Sequence, residues 1–239
     1  MTATLSVCPS DRRSDHPLDN PFWTALRSRH ADLALGHGDV ARYPADVAPF
    51  LGLAHADVEI GAACEALVPA GDSVYLLGVA PARVPAGWRL DAFAPLAQMI
   101  REAPVDVPEG ASHRQLDDDD RDDVLALTAL VYPHYFRPRT MALGRYFGVH
   151  ADTALAAIAG ERLATDDFQE VSAICTHPDH LGRGHAHRLT AMLTNDILAQ
   201  GRTPYLHVSH ANVRAKALYE RIGYRLRRDI GFWALRRAT

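Results

Sequence analysis

The 239-residue chain is poor in cysteine, in net charge and in long apolar runs, and each shortage excludes something. Its three cysteines, Cys8, Cys64 and Cys175, are odd in number and widely spaced. They form neither a disulfide framework nor a zinc ligand set, and they suit a reducing cytoplasm. A formal net charge of −4 gives no global attraction to nucleic acid or to an anionic membrane surface. No apolar run approaches the roughly 18 residues that a membrane span needs, and the N-terminal stretch has no apolar core of signal-peptide type. A Gly-x-x-x-x-Gly-Lys-Ser/Thr phosphate loop is missing, and a dinucleotide-binding Gly-x-Gly-x-x-Gly would need glycine where His187 stands. What remains is the composition of an ordinary globular protein, 48% hydrophobic and 23% charged.

The most informative stretch is FQEVSAICTHPDHLGRGHAHRL, from Phe168 to Leu189. Its pattern predicts a strand, a tight polar turn, a glycine-rich loop and the opening of a helix. A helix that begins at a glycine loop presents unpaired backbone N–H groups and the positive end of its dipole, so it can hold a phosphate. The expected anion site is Gly182 to Ala186. Four histidines, His177, His180, His185 and His187, crowd it. A zinc centre needs converging ligands, and positions two apart on a helix face different ways, so no metal is expected.

Around this stretch the chain divides into an expected tail (1–18), an α/β lobe without a phosphate loop (19–110) and a second unit (111–239). In the lobe, Asn20-Pro21 opens a helix with Phe22, Trp23, Leu26 and Leu33 at helical spacing, and Gly36-His37-Gly38 ends it. Strands are expected at Ser73 to Val79 and Trp88 to Phe93, and Ala94 to Arg101 fits a short helix or a strand edge. In the second unit, the acidic run from Leu116 starts a helix, its aspartates favoured by capping and by the helix dipole. Three strands then follow with polar turns between them, an antiparallel meander. After the loop come a helix to Gln200, the strand Pro204 to Val208, and a helix from Asn212 to Ile222 ended by Gly223. Two strands, Tyr224 to Arg228 and Gly231 to Leu235, complete the pattern. The fold class is α/β (α+β).

Two motifs carry a family resemblance. Leu181-Gly182-Arg183-Gly184-His185-Ala186 is similar to the loop Gln/Arg-x-x-Gly-x-Gly/Ala, with leucine at a position usually Gln or Arg. Asn212, Ala215, Leu218, Tyr219, Gly223 and Tyr224 match a second signature one strand later. Together they resemble the GNAT superfamily of acetyl-CoA-dependent N-acyltransferases, over roughly 114–237. The resemblance implies a mixed, mainly antiparallel sheet flanked by helices, with the first lobe as a degenerate relative. It also implies acetyl transfer from acetyl-CoA to a primary amine of a small molecule or peptide, in a ternary complex. The other function left open is a coenzyme A sensor without catalysis. No nucleic acid or membrane partner is expected, and a homodimer is left open.

The resemblance also distributes roles. Leu181 to Ala186 would hold the pyrophosphate, and Ile174, Cys175 and Thr176 would pair with the pantetheine arm as another strand would. Glu170 is the candidate general base, with a water relay or a plain strand-end carboxylate as the alternatives. Tyr219 is the candidate acid for the leaving thiolate, or else a core aromatic; Asn212 accompanies it. Cys175, with no His or Lys to activate it, is expected to fill the core or wall the cleft. Tyr132, Tyr135, Phe136, Arg137 and Arg139 suggest an acceptor-binding segment for an aromatic or carboxylate-bearing amine, or an ordinary amphipathic stretch. His207 and His210 bracket the end of a strand facing the acceptor side.

Overall fold

The computed structural model describes residues 16–131, 133–151 and 154–238. Cys8 and Tyr132 lie outside them, as does most of the expected tail. The last residues of that tail are ordered: Pro17–Asp19 form a 3-10 turn, and Leu18 is fully buried beside Phe22 and Leu26. An apolar side chain with a core to join leaves the solvent.

In chain order the elements are α1 (Pro21–Leu26), β1 (Leu35–His37), β2 (Val40–Arg42), β3 (Leu51–Leu53) and α2 (Gly61–Leu67). Next come β4 (Ser73–Leu77), β5 (Trp88–Ala92), β6 (Leu96–Ile100), β7 (Arg114–Leu116) and α3 (Arg121–Val131). The meander is β8 (Tyr146–Ala151), β9 (Ala154–Ala164) and β10 (Phe168–Thr176). It is followed by α4 (His185–Ala199), β11 (Thr203–Ser209), α5 (Val213–Ile222), β12 (Arg225–Ile230) and β13 (Phe232–Arg237). The first helix is shorter than its apolar spacing suggests. It stops at Leu26, and Leu33 belongs to a separate 3-10 turn before the β1–β2 hairpin.

The principal sheet has the order β12-β6-β11-β10-β9-β8-β7, parallel between β10 and β11 and antiparallel elsewhere. This is the expected mixed sheet with helices on both faces. Consecutive strand residues face opposite ways, so Ile158 packs under Val124 and Leu127 of α3. Ala157 and Ala159 pack under Leu189, Leu193 and Ile197 of α4. The third helix, α5, lays Tyr219 and Ile222 on Met99, Leu206 and Val208.

The two expected units exchange strands. β6, from the first, runs between β11 and β12 of the second, and β13 runs between β4 and β5 of the first. The stretch that fits a helix or an edge is thus an interior strand. Its sequence, LAQMI, is nearly continuous in apolar residues, as a strand covered on both faces requires. Its polar member, Gln98, is fully buried. No helix among the described residues is long and apolar enough to cross a membrane.

Candidate active site

β10 and β11 pair only from Phe168↔Thr203 to Glu170↔Tyr205. Beyond that point they part, while β10 continues to Thr176 and β11 to Ser209. A cavity of about 330 Å³ fills the opening, walled by Val171 to Cys175, by Leu206 to Ser209, and by Asn212 and Tyr219. A β-bulge shapes the β10 wall: its register against β9 shifts between Ser172 and Cys175, and Ala173 stands at φ +50°. A left-handed alanine costs on the order of 1 kcal/mol, and the bulge leaves its extra residue outside the ladder.

At the apex, where the strands begin to part, sits a closed polar network. Glu170 is fully buried and takes two bonds of 2.7 Å from Arg162, through Nε and Nη2. The ring of His207 lies with Nδ1 2.7 Å from the same carboxylate and Nε2 2.9 Å from the Gln98 amide nitrogen. Gln98 is oriented by two further bonds, its nitrogen donating to Leu18 O (2.8 Å) and its oxygen accepting from Arg227 (2.6 Å). With the amide fixed, Gln98 donates to His207 Nε2, so the imidazole carries its hydrogen on Nδ1 and donates a hydrogen bond from it to the Glu170 carboxylate. Arg227 in turn meets Asp19 at 2.7 Å, which ties the apex to the N-terminal turn. Burial alone would raise the Glu170 pKa. The charge and bonds of Arg162, joined by His207, overcome it and hold the carboxyl at about 2.

The structure brings Ile174, Cys175, Asn212 and Tyr219 together on the cavity wall, with Tyr135. Glu170 lies behind Arg162 and His207, which are the apex groups that reach the cavity. Thr176, at the end of β10, pairs with Ala157. Asn212 also caps α5, its Oδ1 accepting from Ala215 N at 3.1 Å. Burial pushes the Cys175 thiol up to about 12, so at neutral pH it is not a thiolate. Phe136 and Arg137 do not wall the cavity. Phe136 packs edge-on against Tyr146 under α3, and Arg137 faces Asp72 at 3.8 Å. Arg139 likewise pairs with Asp46 at 3.1 Å.

The glycine loop follows β10. Gly182 and Gly184 have φ +79° and +80°, and a Cβ at either would meet nothing within 4 Å. Gly184 caps α4 without a side-chain bond, which leaves the first N–H groups of the helix to a ligand or to water. Leu181, Gly182 and Arg183 are exposed, His185 is buried at the helix start, and Ala186 lies in its first turn. Arg183 reaches back to the Asp179 carbonyl at 3.4 Å.

Sequence reasoning passed over Arg162, Gln98 and most of the apolar cavity wall, Phe22, Phe50, Leu77, Leu96, Leu206 and Phe232 among them. One signal for Arg162 was there. The short polar turn at Thr165 to Asp167 joins the strands of Arg162 and Glu170 as antiparallel neighbours, close enough for a cross-strand charge pair.

The family model for FR47-like proteins matches residues 146–233. Among solved structures, a GNAT-family acetyltransferase of Novosphingobium aromaticivorans is 34% identical, with TM-score 0.86 over 94% of this chain and all of its own. A GCN5-related N-acetyltransferase of Kribbella flavida is 18% identical, with TM-score 0.59 over 88% of this chain and 91% of its own. A GCN5-related N-acetyltransferase-like protein of Streptococcus suis is 17% identical, with TM-score 0.58 over 92% and 96%. No curated protein matches the sequence significantly.

Proposed function

This chain belongs to the GNAT family of acetyltransferases, and from that premise we propose that it moves an acetyl group from acetyl-CoA to a primary amine in the cytoplasm. The observation that carries the proposal is the joining of two features by one strand. β10 walls the opening left by β11 and runs on into the uncapped helix start at Gly184. The fit is steric as well as polar, since the open space at Gly182 and Gly184 admits a phosphate against the backbone.

In this reading acetyl-CoA supplies the thioester carbonyl that the amine attacks. Gly182 to Ala186 hold the pyrophosphate with backbone N–H groups, and the bulged edge at Ile174 to Thr176 pairs with the extended pantetheine arm. Tyr219 stands at the cavity wall to protonate the thiolate as the C–S bond breaks and the C–N bond forms. The protonated Cys175 thiol supports direct transfer over an acyl-enzyme route. Glu170, held ionised, is a poor acceptor for an ammonium proton. It acts as a positioning residue that fixes Arg162 and the His207 ring, and the amine's proton leaves through water.

Acetyl-CoA at millimolar concentration should raise the melting temperature, and free coenzyme A should appear when an amine is added. Tyr219→Phe should slow turnover by about 10²-fold, the scale of general acid catalysis, while the melting shift with acetyl-CoA persists. An unchanged rate would remove the acid role. A melting shift with no thiol release from any amine would make the chain a coenzyme A sensor.

A further inference from the structure

The chemistry of the cavity wall selects among acceptors, and this inference rests on the transfer reading above. Phe22, Phe50, Tyr135 and Phe232, with Leu77 and Leu96, complete the wall opposite in character to the polar apex. These rings form one connected set. Phe22 stacks on Phe50 at 4.3 Å, Tyr135 meets Phe232 edge-on at 6.0 Å, and both belong to the same core cluster.

Among the described residues lining the cavity, Arg162 is the one permanently charged side chain and no carboxylate lines it. The Arg162 charge is already matched by Glu170 through two bonds, and its guanidinium lies over the Phe50 ring at 5.1 Å. An acceptor carboxylate would therefore lose its water to a cation that is already neutralised. A polyamine would bring, besides the amine that reacts, at least one further ammonium charge to a wall with no anion to receive it. Both are costly to bury. The arginines of the Arg137–Arg139 segment are turned to Asp72 and Asp46. The cavity of about 330 Å³ is shared with the thioester end of the donor, so the space left to the acceptor fits no more than a single ring.

We propose that the acceptor is a small apolar amine with an aromatic or similarly flat body and no carboxylate, bound against Phe22, Phe50, Tyr135 and Phe232. It enters the cavity as the neutral amine, which is also the form that attacks the thioester.

The test uses the full chain with acetyl-CoA and three probes: 2-phenylethylamine, phenylalanine, which adds a carboxylate to the same body, and spermidine. The expected result is a kcat/KM for 2-phenylethylamine at least about tenfold above both others, the scale on which an unpaired polar group is rejected. A smaller ratio, or a reversed one, overturns the proposal while leaving acetyl transfer intact. Tyr135→Ala should raise the KM for 2-phenylethylamine and leave the KM for acetyl-CoA unchanged. Because Tyr135 packs on Tyr75 and Phe232, Tyr135→Leu serves as a second variant that keeps the bulk. It should raise the same KM less, and a KM that neither variant moves overturns the assignment. Should no amine release coenzyme A, the transfer reading falls. Saturation-transfer NMR then decides the present inference: magnetisation reaching the 2-phenylethylamine ring, and lost in Tyr135→Ala, supports it, and none overturns it.

Discussion

The apex of the cleft, near the start of β10, and the glycine loop, which follows its end, treat polarity in opposite ways. At the apex, Glu170, Arg162, His207 and Gln98 answer one another, so the charges are buried at the cost of a fixed arrangement. At the loop, Gly182 to Gly184 are exposed, and the start of α4 has no side-chain cap to answer its first backbone N–H groups. A buried charge must be satisfied from within the protein, and a binding site must not be. On the proposed function, stability is concentrated at the apex and ligand affinity at the loop.

The comparison breaks most readily at Arg162. Arg162→Ala leaves the Glu170 carboxylate buried without its main partner, and the expected loss is about 3–5 kcal/mol in denaturant unfolding. A loss under about 1 kcal/mol would mean that the apex does not hold the fold. Acidification asks the same question more gently. The Glu170 pKa falls from 4.5 to about 2 on folding, so its contribution is present above 4.5 and lost as pH drops towards 2. That loss is on the order of 3 kcal/mol. His30, buried and held at about 4 against 6.5, adds a separate loss between those values. The difference between the parent and Glu170→Gln in stability against pH isolates the lower window, and an identical acid limb in both would refute the linkage.

The smallest effect is expected at the loop. Gly184→Ala meets no atom but must adopt φ +80°, which costs about 1 kcal/mol of stability. The acetyl-CoA Kd, measured by calorimetry, should rise far more than that stability loss suggests. A stability loss comparable to that of Arg162→Ala would erase the contrast between the two regions.

These regions also differ in how far they could be read in advance. The loop was legible because its chemistry is local: Gly182 and Gly184 are demanded by backbone conformation, and Asn212 and Gly223 mark a helix start and stop within α5's own neighbourhood. The β8–β10 meander was legible for the same reason, from alternation and polar turns. The apex was not, because Gln98 reaches His207 from a distant part of the chain and is itself held by Leu18 and Arg227, which are distant again. Glu170 by itself carries the same letters as a solvated base, and only its partners make it a fixed anion. The bulge at Ala173 has no residue signature either, since alanine is not the residue that positive φ favours. The placement of β6 was hidden because a short apolar strand says nothing of which neighbours it will take.

The strand exchange has a consequence during synthesis. β4 and β5 are held together by β13, and β6 keeps an open edge until β11 and β12 arrive, so the first hundred residues leave the ribosome with edges awaiting partners more than a hundred residues downstream. Such a chain cannot finish its first lobe before β13 has been made. The seven-stranded sheet has all its strands once β12 is made, the sheet of β4 and β5 waits for β13, and the cavity wall, to which Phe22 and Phe232 both contribute, is complete only then.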